Sequence, residues 1–381
     1  MNKELISQVK DCFIERFKVQ PLMVFSPGRI NLIGEHTDYN DGFVFPAAID
    51  LGIALAINKS SSKVSRVYAL NNGEMHDIDL HNMRPIKDGG WRNIALGVVV
   101  ELAKMNKIVG NFDTVFAGNI PVGAGLSSSA ALENSLVFGL NNLFNFGLKK
   151  KEMILISQKA EHNFLGVNCG IMDQYASMYG KKNRALLLDC RAITSKRIKI
   201  KLKNLKLVLV NTNVNHELSE SAYNERRAVC EKVSILLKIK ALRDASENDL
   251  ESLRGQISKT DFNKALYVIN ENKRVQLFSE AILKKDYETM GQLMYETHNG
   301  LSSNYNVSCK ELDFLVDVTK NMDYVYGSRM MGGGFGGCTL NLVLEHDIKK
   351  FKHEICAMYQ KKFERICSIY DVKISKGTYI I

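Results

Sequence analysis

One segment near the N-terminus combines a high density of ionisable side chains with an aliphatic run. The segment GRINLIGEHTDY at residues 28–39 carries four charged or chargeable side chains, Arg29, Glu35, His36 and Asp38, among two glycines and a short aliphatic run. Burying a charge is costly unless the charge is paired or bound to a ligand. A turn that packs its aliphatic side chains inward and directs its charged ones at one point would form a pocket for a polar ligand. An ordinary strand followed by an acidic surface turn is the alternative that this segment alone leaves open.

Composition limits the class of protein. The chain has 381 residues, of which 45% are hydrophobic and 24% are charged, and this is typical of a globular protein with two cores. Its eight cysteines include no CxxC pair, which argues against a zinc site or a redox dithiol. The N-terminal stretch lacks the continuous apolar centre of a secretory signal. We therefore expect a cytoplasmic protein with reduced thiols and no membrane partner.

The formal net charge of +10 raises the question of a nucleic-acid partner. The densest basic run, at residues 196–206, alternates with aliphatic residues, and this is the period of a half-exposed strand. No aromatic residue interleaves its lysines, whereas single-strand binding surfaces use aromatic rings for base stacking. The run therefore predicts a solvated strand and no nucleic-acid partner, and the positive charge remains compatible with an anionic small substrate.

Helical and strand patterns alternate in both halves of the chain, which predicts an α+β fold with two domains and a cleft between them. A boundary is expected near residues 200–206. The patterns predict strands over 22–26, 44–57, 64–70, 112–118, 205–210, 339–344 and 373–380, and helices over 94–105, 126–143, 151–165, 219–238, 264–283, 287–301 and 346–366.

A second segment, PVGAGLSSSAAL at residues 121–132, has the composition of a phosphate-binding loop. Glycines let backbone amides approach an anion, and three serines supply hydroxyl donors at the start of a predicted helix. The first-turn amides of a helix lack intrahelical partners and lie at the positive end of its dipole. The segment is not a Walker A loop, because no lysine follows its glycines. A glycine turn capped by serine is the simpler alternative.

A third segment, RMMGGGFGGC at residues 329–338, has five glycines in six positions. Its apolar flanks argue against a flexible linker, so close backbone approach or unusual dihedral angles explain it better. Between the two glycine segments lie Glu161, His162 and the run CGIMDQYAS at residues 169–177. Taken alone, Glu161 and Asp173 could be surface charges, and His162 is better explained as a structural histidine than as a metal ligand.

Together these segments resemble the galactokinase branch of the GHMP kinases, a family of small-molecule kinases. The segments at 121–132 and 331–337 resemble signatures found throughout that family, whereas GRINLIGEHTDYNDG at 28–42 is typical of sugar recognition in the galactokinase branch. The run at 169–177 and the surroundings of Tyr223 match the same branch. The matches extend from residue 26 to residue 340 in the expected order.

The resemblance implies a two-domain α+β kinase with the active site between the domains. Residues 1–203 are expected to form an N-terminal domain of the ribosomal-S5-domain-2-like type. Residues 204–381 are expected to form a ferredoxin-like C-terminal domain, with a last strand able to pack back on the N-terminal domain. ATP is the expected phosphoryl donor and Mg²⁺ the expected metal ion.

The resemblance also implies roles for individual residues. Asp173 is expected to be the catalytic base at the anomeric hydroxyl of the sugar, with Arg29 stabilising the negative charge. The expected sugar-binding residues are Glu35, His36, Thr37, Asp38, Gly170 and Tyr223; the expected nucleotide-binding residues are Gly123, Ala124, Gly125, Leu126, Ser127, Ser128 and Ser129; and the expected metal ligands are Ser129 and Glu161.

The expected reaction is ATP-dependent phosphorylation of D-galactose to α-D-galactose 1-phosphate, a step of galactose metabolism, by a monomeric enzyme. Two alternatives remain open at this point. One is a kinase of the same branch that acts on N-acetylgalactosamine. The other is a catalytically silent sensor of galactose and ATP that regulates transcription, although the intact serine segment, Asp173 and Arg29 argue against it.

Overall fold

Three β-sheets organise the part of the chain that the computed structural model describes, namely residues 3–121, 123–215 and 219–381. Their strands are β1 (Leu22–Asn31), β2 (Phe43–Val44), β3 (Pro46–Lys59), β4 (Ser65–Ala69), β5 (Glu74–Ile78), β6 (Phe112–Gly118), β7 (Arg184–Asp189), β8 (Thr194–Lys199), β9 (Leu205–Asn215), β10 (Val325–Met330), β11 (Gly336–Leu344), β12 (Ser368–Asp371) and β13 (Tyr379–Ile380).

Helices separate these strands and cover the sheets. They are α1 (Lys3–Phe17), α2 (Trp91–Lys104), α3 (Ser128–Leu143), α4 (Lys150–Ala160), α5 (Met172–Tyr179), α6 (Ser219–Leu236), α7 (Glu247–Glu251), α8 (Lys259–Lys284), α9 (Tyr287–Asn299), α10 (Lys310–Thr319) and α11 (Ile348–Phe363). Among the described residues, none of these helices has the length and apolar character that a membrane crossing requires.

The largest sheet has six strands in the order β13-β1-β3-β6-β4-β5. Helix α3 packs against β1 and β3 on one face, and α1 covers the other face with Val9 and Phe13, both fully buried. Strands β1 and β3 are buried along nearly their whole length because both of their faces are covered. This sheet therefore holds β1, which carries Arg29, rigidly between two layers.

The second sheet is antiparallel throughout, with four strands in the order β10-β11-β9-β12. Helices α10 and α11 cover one of its faces, with Phe351 and Ile355 fully buried in the core between them and the sheet. The predicted division between residues 203 and 204 lies between β8 and β9, that is, between the smallest sheet and this one. The C-terminal strand β13 returns to the first sheet, where it pairs with β1.

The third sheet, β2-β7-β8, contains the first part of the basic run that is predicted to form a solvated strand. In β8, Lys196, Arg197 and Lys199 are exposed while Ile198 is buried, so the prediction for 196–206 is confirmed over residues 196–199, whereas residues 200–204 form no strand and β9 begins at Leu205.

Several predicted elements have different boundaries. Strand β1 continues through Asn31, five residues past the predicted end, so Arg29 lies in a strand and not in a turn. Helix α3 begins at Ser128, because Ser127 has a φ of 60° and cannot be helical. Helix α4 ends at Ala160 and is followed by one π-helical turn, Glu161–Leu165. Such turns are frequent at functional sites.

Other elements were not predicted at all, among them β7, β10 and α10, and two departures concern the site and the end of the chain. Helix α5, which carries Asp173, was not predicted, because its eight residues are too few for a clear apolar period. The strand predicted over 373–380 is limited to β13 at its end. Upstream of β13, Ser375 donates its amide proton to Ala48 and Gly377 donates to Gly180, so this stretch pairs with two different segments and forms no continuous ladder.

Candidate active site

The turn that follows β1 brings the carboxylate of Glu35 into the cleft between the domains. Gly34 has a φ of +98°, and a Cβ there would lie 2.7 Å from Val275, so only glycine fits this bend. The Glu35 side chain is 1% exposed, and its Oε1 accepts hydrogen bonds of 3.0 Å from Arg329 Nη2 and from the amide of Gly332. The predicted sugar turn is thus bound to the C-terminal glycine segment.

His36 lies next to Glu35 with both ring nitrogens in hydrogen bonds. Nδ1 is 2.8 Å from the Tyr39 hydroxyl, and Nε2 is 3.2 Å from the carbonyl oxygen of Gly333. Burial lowers the pKa of His36 to about 4, although the Glu35 charge opposes this shift. The ring is therefore neutral at pH 7, and it packs against the ring of Tyr223 with a centroid distance of 5.4 Å.

Asp38 begins a short 3₁₀ turn, Asp38–Asn40, at the wall of the cleft. Burial raises its pKa to about 7, and the nearby charge of Asp173 adds to this effect. Gly170 packs directly against this carboxylate, since a Cβ at position 170 would lie 2.1 Å from Asp38 Oδ2. Gly170 therefore contributes to the predicted sugar site by lacking a side chain, which leaves room for the carboxylate of Asp38.

Thr37 has a different environment from the one predicted. Its side chain is fully buried, and its hydroxyl lies 2.6 Å from the carbonyl of Phe43 and 3.0 Å from that of Gly34. Its own carbonyl accepts from the amides of Asn40 and Gly42. Its hydroxyl and its carbonyl both serve to close the turn, and Thr37 is not among the residues that line the cavity.

Arg29 and Asp173 form the charged pair at the centre of the cleft. Arg29 Nε donates to Asp173 Oδ1 at 2.8 Å and Nη2 donates to Oδ2 at 2.9 Å, a two-bond geometry that fixes both groups. The third nitrogen of Arg29, Nη1, donates to the carbonyl of Gly125. Asp173 stands in the first turn of α5, where the helix dipole favours a negative charge, and its side chain is 28% exposed.

The predicted phosphate loop passes beside this pair. Gly123 and Gly125 are exposed and have φ values of 70° and 69°, while Ser127 donates a hydrogen bond to Asp173. The side chains of Ala124 and Leu126 are each 1% exposed in the core, so only their backbone groups could face a nucleotide. Ser128 is exposed at the first residue of α3. Val122 of this segment lies outside the described residues.

The loop rests on the C-terminal glycine segment. A Cβ at Gly332 would lie 3.2 Å from the carbonyl oxygen of Gly125, and one at Gly337 would lie 3.2 Å from that of Gly123. Both of these C-terminal glycines have positive φ, +84° and +81°. The backbones of the two segments therefore approach each other with no side chain between them. This explains why five of the six residues at 332–337 are glycine.

Ser129 and Glu161, the predicted metal ligands, lie side by side. Ser129 Oγ donates to Glu161 Oε1 at 3.1 Å, and Gln174 Nε2 donates to Glu161 Oε2 at 2.7 Å. Burial raises the pKa of Glu161, and the charge of Asp173 adds to the effect. Behind them, the buried Glu133 shares the same Gln174 amide, and burial raises its pKa well above the ordinary range. In the described part of the chain, no cluster of three His, Cys, Asp or Glu side chains could hold a metal ion by itself.

These groups enclose a cavity of about 140 Å³. It is lined by Arg29, Glu35, His36, Asp38, Glu161, Val167, Cys169, Met172, Asp173, Tyr223, Gly332 and Gly333. Seven of these residues were predicted site residues. Gly332 and Gly333 had been noted only as part of a glycine-rich segment, and Arg329, which binds Glu35 from behind, was missed.

Two other features lie outside this centre. His162 bonds the carbonyl of Cys169 through Nε2 at 2.9 Å, which agrees with a structural role. A larger cavity, about 650 Å³, lies at the C-terminal end of α2 between Lys63, Met83 and Lys107, and it has no carboxylate in its lining. It contains one imidazole, that of His81, but lacks the carboxylates found at the interdomain cavity.

Family models match three parts of the chain. A model of the galactokinase galactose-binding signature matches residues 11–59, the GHMP kinase N-terminal domain matches residues 93–181, and the GHMP kinase C-terminal domain matches residues 278–361. A galactokinase from Clostridium tetani is 40% identical over 387 residues, covering 100% of this chain and 99% of its own length.

The chain belongs to the galactokinase family. Among its relatives is a galactokinase from Thermotoga maritima, 38% identical over 93% of this chain and 99% of its own length. The crystal structure of Lactococcus lactis galactokinase complexed with galactose matches with a TM-score of 0.94 at 32% identity, over 98% of this chain and 99% of that one. A Methanococcus jannaschii mevalonate kinase, with a TM-score of 0.66 at 21% identity, shares the fold.

These comparisons confirm the two-domain α+β fold, the kinase family and ATP as its co-substrate. The N-acetylgalactosamine kinase and the silent sensor gain no support from them.

Proposed function

We propose that the chain transfers the γ-phosphoryl group of ATP to the anomeric hydroxyl of D-galactose, giving α-D-galactose 1-phosphate and ADP. The observation that carries this proposal is the Arg29–Asp173 pair. Its carboxylate faces a cavity lined by sugar-type hydrogen-bonding groups on one side and borders the glycine-serine loop on the other. A hydroxyl and a phosphate could therefore meet at one carboxylate.

In this proposal Asp173 accepts the proton of the anomeric hydroxyl. Three donors, two from Arg29 and one from Ser127, fix the orientation of the carboxylate. Phosphoryl transfer needs little covalent help from a protein, so most of the rate would come from positioning and from neutralising charge. Arg29 suits the second task, since the residue is 4% exposed and its guanidinium is held between Asp173 and the loop carbonyl of Gly125.

Galactose would bind between the sugar turn and α6. Glu35, Asp38 and His36 supply fixed polar atoms at the wall of the cavity, and Tyr223 contributes a ring and a hydroxyl. A buried polar group rejects an epimer strongly, because the wrong sugar leaves that group without a partner. We assign Thr37 and Gly170 indirect parts, the first in closing the turn and the second in leaving room for Asp38.

The nucleotide phosphates would lie against Gly123–Ser129. The exposed glycines allow close approach to backbone amides, and the N-terminus of α3 adds unpartnered amides and the positive end of its dipole.

Mg²⁺ fits the same corner of the site. Ser129 and Glu161 supply a hydroxyl and a carboxylate oxygen 3.1 Å apart, and Mg²⁺ prefers a few protein oxygens supplemented by phosphate oxygens and water. The buried Glu161 carboxylate, with its raised pKa, would gain a compensating positive charge. When bound, the ion would neutralise part of the negative charge of the phosphates.

We also propose that the enzyme acts as a monomer.

A substrate panel tests the proposal. ADP release should depend on galactose, with far lower turnover on glucose, N-acetylgalactosamine and arabinose. Asp173→Asn should reduce kcat by about 10²–10⁴-fold while ATP binding remains, since removal of a general base costs on this order. Asp317→Asn, at an exposed carboxylate on α10, is the matched control. Absence of galactose-dependent ADP release would refute the proposal, and full activity of Asp173→Asn would remove Asp173 from its role.

A further inference from the structure

Four side chains form a continuous hydrogen-bonded series that ends at the sugar cavity. The Cys230 thiol lies 3.3 Å from the Tyr305 hydroxyl, which lies 2.8 Å from the Tyr39 hydroxyl. The Tyr39 hydroxyl lies 2.8 Å from His36 Nδ1, and His36 Nε2 lies 3.2 Å from the Gly333 carbonyl oxygen. The series crosses from α6 and the segment after α9 to the sugar turn, so it joins both halves of the chain.

The last bond sets the direction of every other bond. A carbonyl oxygen can only accept, so His36 Nε2 must carry the proton that points to Gly333. In a neutral imidazole the other nitrogen is then an acceptor, and Tyr39 must donate to it. The single phenolic proton of Tyr39 is thereby used, so Tyr305 must donate to the Tyr39 oxygen. Cys230 in turn donates its thiol proton to Tyr305.

The protonation states agree with this direction. Burial lowers the pKa of His36 to about 4, so the ring is neutral at pH 7. Burial also raises the pKa of the Cys230 thiol to about 11 and keeps both tyrosine hydroxyls protonated, because it raises their pKa values well above the ordinary one. His36, Tyr305 and Cys230 are each no more than 3% exposed, and Tyr39 is half-buried, so most of the series is shielded from water.

We propose that Tyr39, Tyr305 and Cys230 are positioning residues that hold His36 in its Nε2–H tautomer. Both ring nitrogens are then occupied, Nδ1 by the Tyr39 hydroxyl and Nε2–H by the Gly333 carbonyl. His36 thereby joins the sugar turn to the glycine segment and fixes the shape of the cavity wall that a sugar would contact. This part rests on the proposed function, because it takes the cavity as the sugar site.

Two tyrosines hold the ring of His36 from the Nδ1 side, one directly and one through the other. Tyr39 is three residues along the same turn, whereas Tyr305 is distant in sequence. Loss of Tyr39 would leave Nδ1 as a buried acceptor without a donor, and the ring could then exchange tautomers.

The tautomer can be measured directly in the whole enzyme. Protein labelled with ¹⁵N-histidine gives separate Nδ1 and Nε2 signals, and the His36→Asn variant assigns those of His36. We expect a protonated Nε2 and an unprotonated, hydrogen-bonded Nδ1 in the parent protein. Tyr39→Phe should move both signals toward a tautomer mixture, Tyr305→Phe should move them less, and Cys230→Ala should move them least.

Kinetics supply the second readout. Tyr39→Phe should raise the KM for galactose about tenfold, the size of one lost buried hydrogen bond, while kcat changes by less than about threefold. Tyr295→Phe is the matched control. Tyr295 is also half-buried, and its hydroxyl is hydrogen-bonded to that of Thr319 at 3.2 Å. It should change neither readout.

Unchanged His36 signals in both Tyr39→Phe and Tyr305→Phe would overturn the proposal, as would an Nδ1–H tautomer in the parent protein. If Tyr39→Phe does not fold, Tyr305→Phe decides. A parent enzyme without galactose turnover would refute the proposed function instead, and the NMR measurement, which needs no sugar, would still decide the tautomer.

Discussion

Replacing Gly170 by alanine tests how the site holds Asp38. A Cβ at position 170 would lie 2.1 Å from Asp38 Oδ2, 2.2 Å from its Cγ and 2.7 Å from its Cβ. Rotation about χ1 of Asp38 would move the first two atoms away but would leave the third contact. The backbone of one segment must therefore shift as well. The φ of Gly170 is not in the left-handed region, so the effect of the added methyl group is steric and not conformational.

The expected magnitude follows from this overlap. Forcing one methyl group into a closely packed site costs about 1–3 kcal/mol. If the strain is relieved by displacing the Asp38 carboxylate from the sugar cavity, the same free energy is lost from galactose binding. The KM for galactose should then rise by about 5–150-fold. ATP binding should be unaffected, because the three atoms nearest to a Cβ at position 170 all belong to Asp38 and none to the glycine-serine loop.

The assay is ADP release at varied galactose concentration, run as a double-mutant cycle with Asp38→Ala. Removing the Asp38 carboxylate also removes two of the three close contacts. Gly170→Ala should therefore have a much smaller effect in the Asp38→Ala background than in the parent protein. Equal effects in both backgrounds, or a KM within twofold of the parent value in the single variant, would refute the reasoning.

Three further outcomes are expected. The pKa of Asp38 in the folded protein, about 7, exceeds its ordinary value, so its contribution to stability is complete below about pH 4 and is lost as the pH rises through about 7. Thermal unfolding at about pH 5 to 8 should accordingly show a shallower decline for Asp38→Asn than for the parent protein. Gln174→Leu removes the amide that donates to both Glu133 and Glu161, so urea unfolding should show a loss of about 1–3 kcal/mol. Arg29→Lys replaces a two-bond clamp by a point charge, so kcat for ADP release should fall by about 10–100-fold.

Each of these outcomes can fail separately. Parallel pH profiles for Asp38→Asn and the parent protein would show that this carboxyl does not titrate in that range. Unchanged unfolding of Gln174→Leu would mean that the two buried carboxylates do not depend on its amide. Arg29→Lys with the parent kcat would show that a single positive charge is sufficient at this position.

The sequence contains enough information to find the chemical groups of the site. Arg29, Glu35 and Asp38 were noticed because charged residues are rare beside buried aliphatic ones, and the structure brings all three to one cavity. Asp173 was found only through its family motif. Its helix is short, and nothing in the local pattern distinguishes its carboxylate from a surface charge.

What the sequence could not provide are the contacts made across long stretches of chain. Arg329 donates to the carbonyls of Leu32 and Asn31, nearly 300 residues away, and to the carboxylate of Glu35. In sequence it is one arginine before a glycine run. For Thr37 the family motif predicts a contact with the sugar, whereas in the structure its hydroxyl bonds two backbone carbonyls of the turn.

The buried Arg329–Glu35 pair connects the fold with the site. Burying an ion pair is costly unless further hydrogen bonds stabilise both groups, and here three backbone carbonyls accept from the guanidinium while the amide of Gly332 donates to Oε1, the oxygen of Glu35 that Arg329 also bonds. Both donors to Glu35 come from the C-terminal part of the chain, while two of the carbonyls that accept from Arg329 come from the end of β1 and the residue after it. Oε1 of Glu35 therefore has these two donors only when the C-terminal glycine segment is docked on the sugar turn, which is also the condition under which Gly332 supports the loop at Gly125. Formation of the sugar wall and of the phosphate loop thus depends on the same contact between the two halves of the chain.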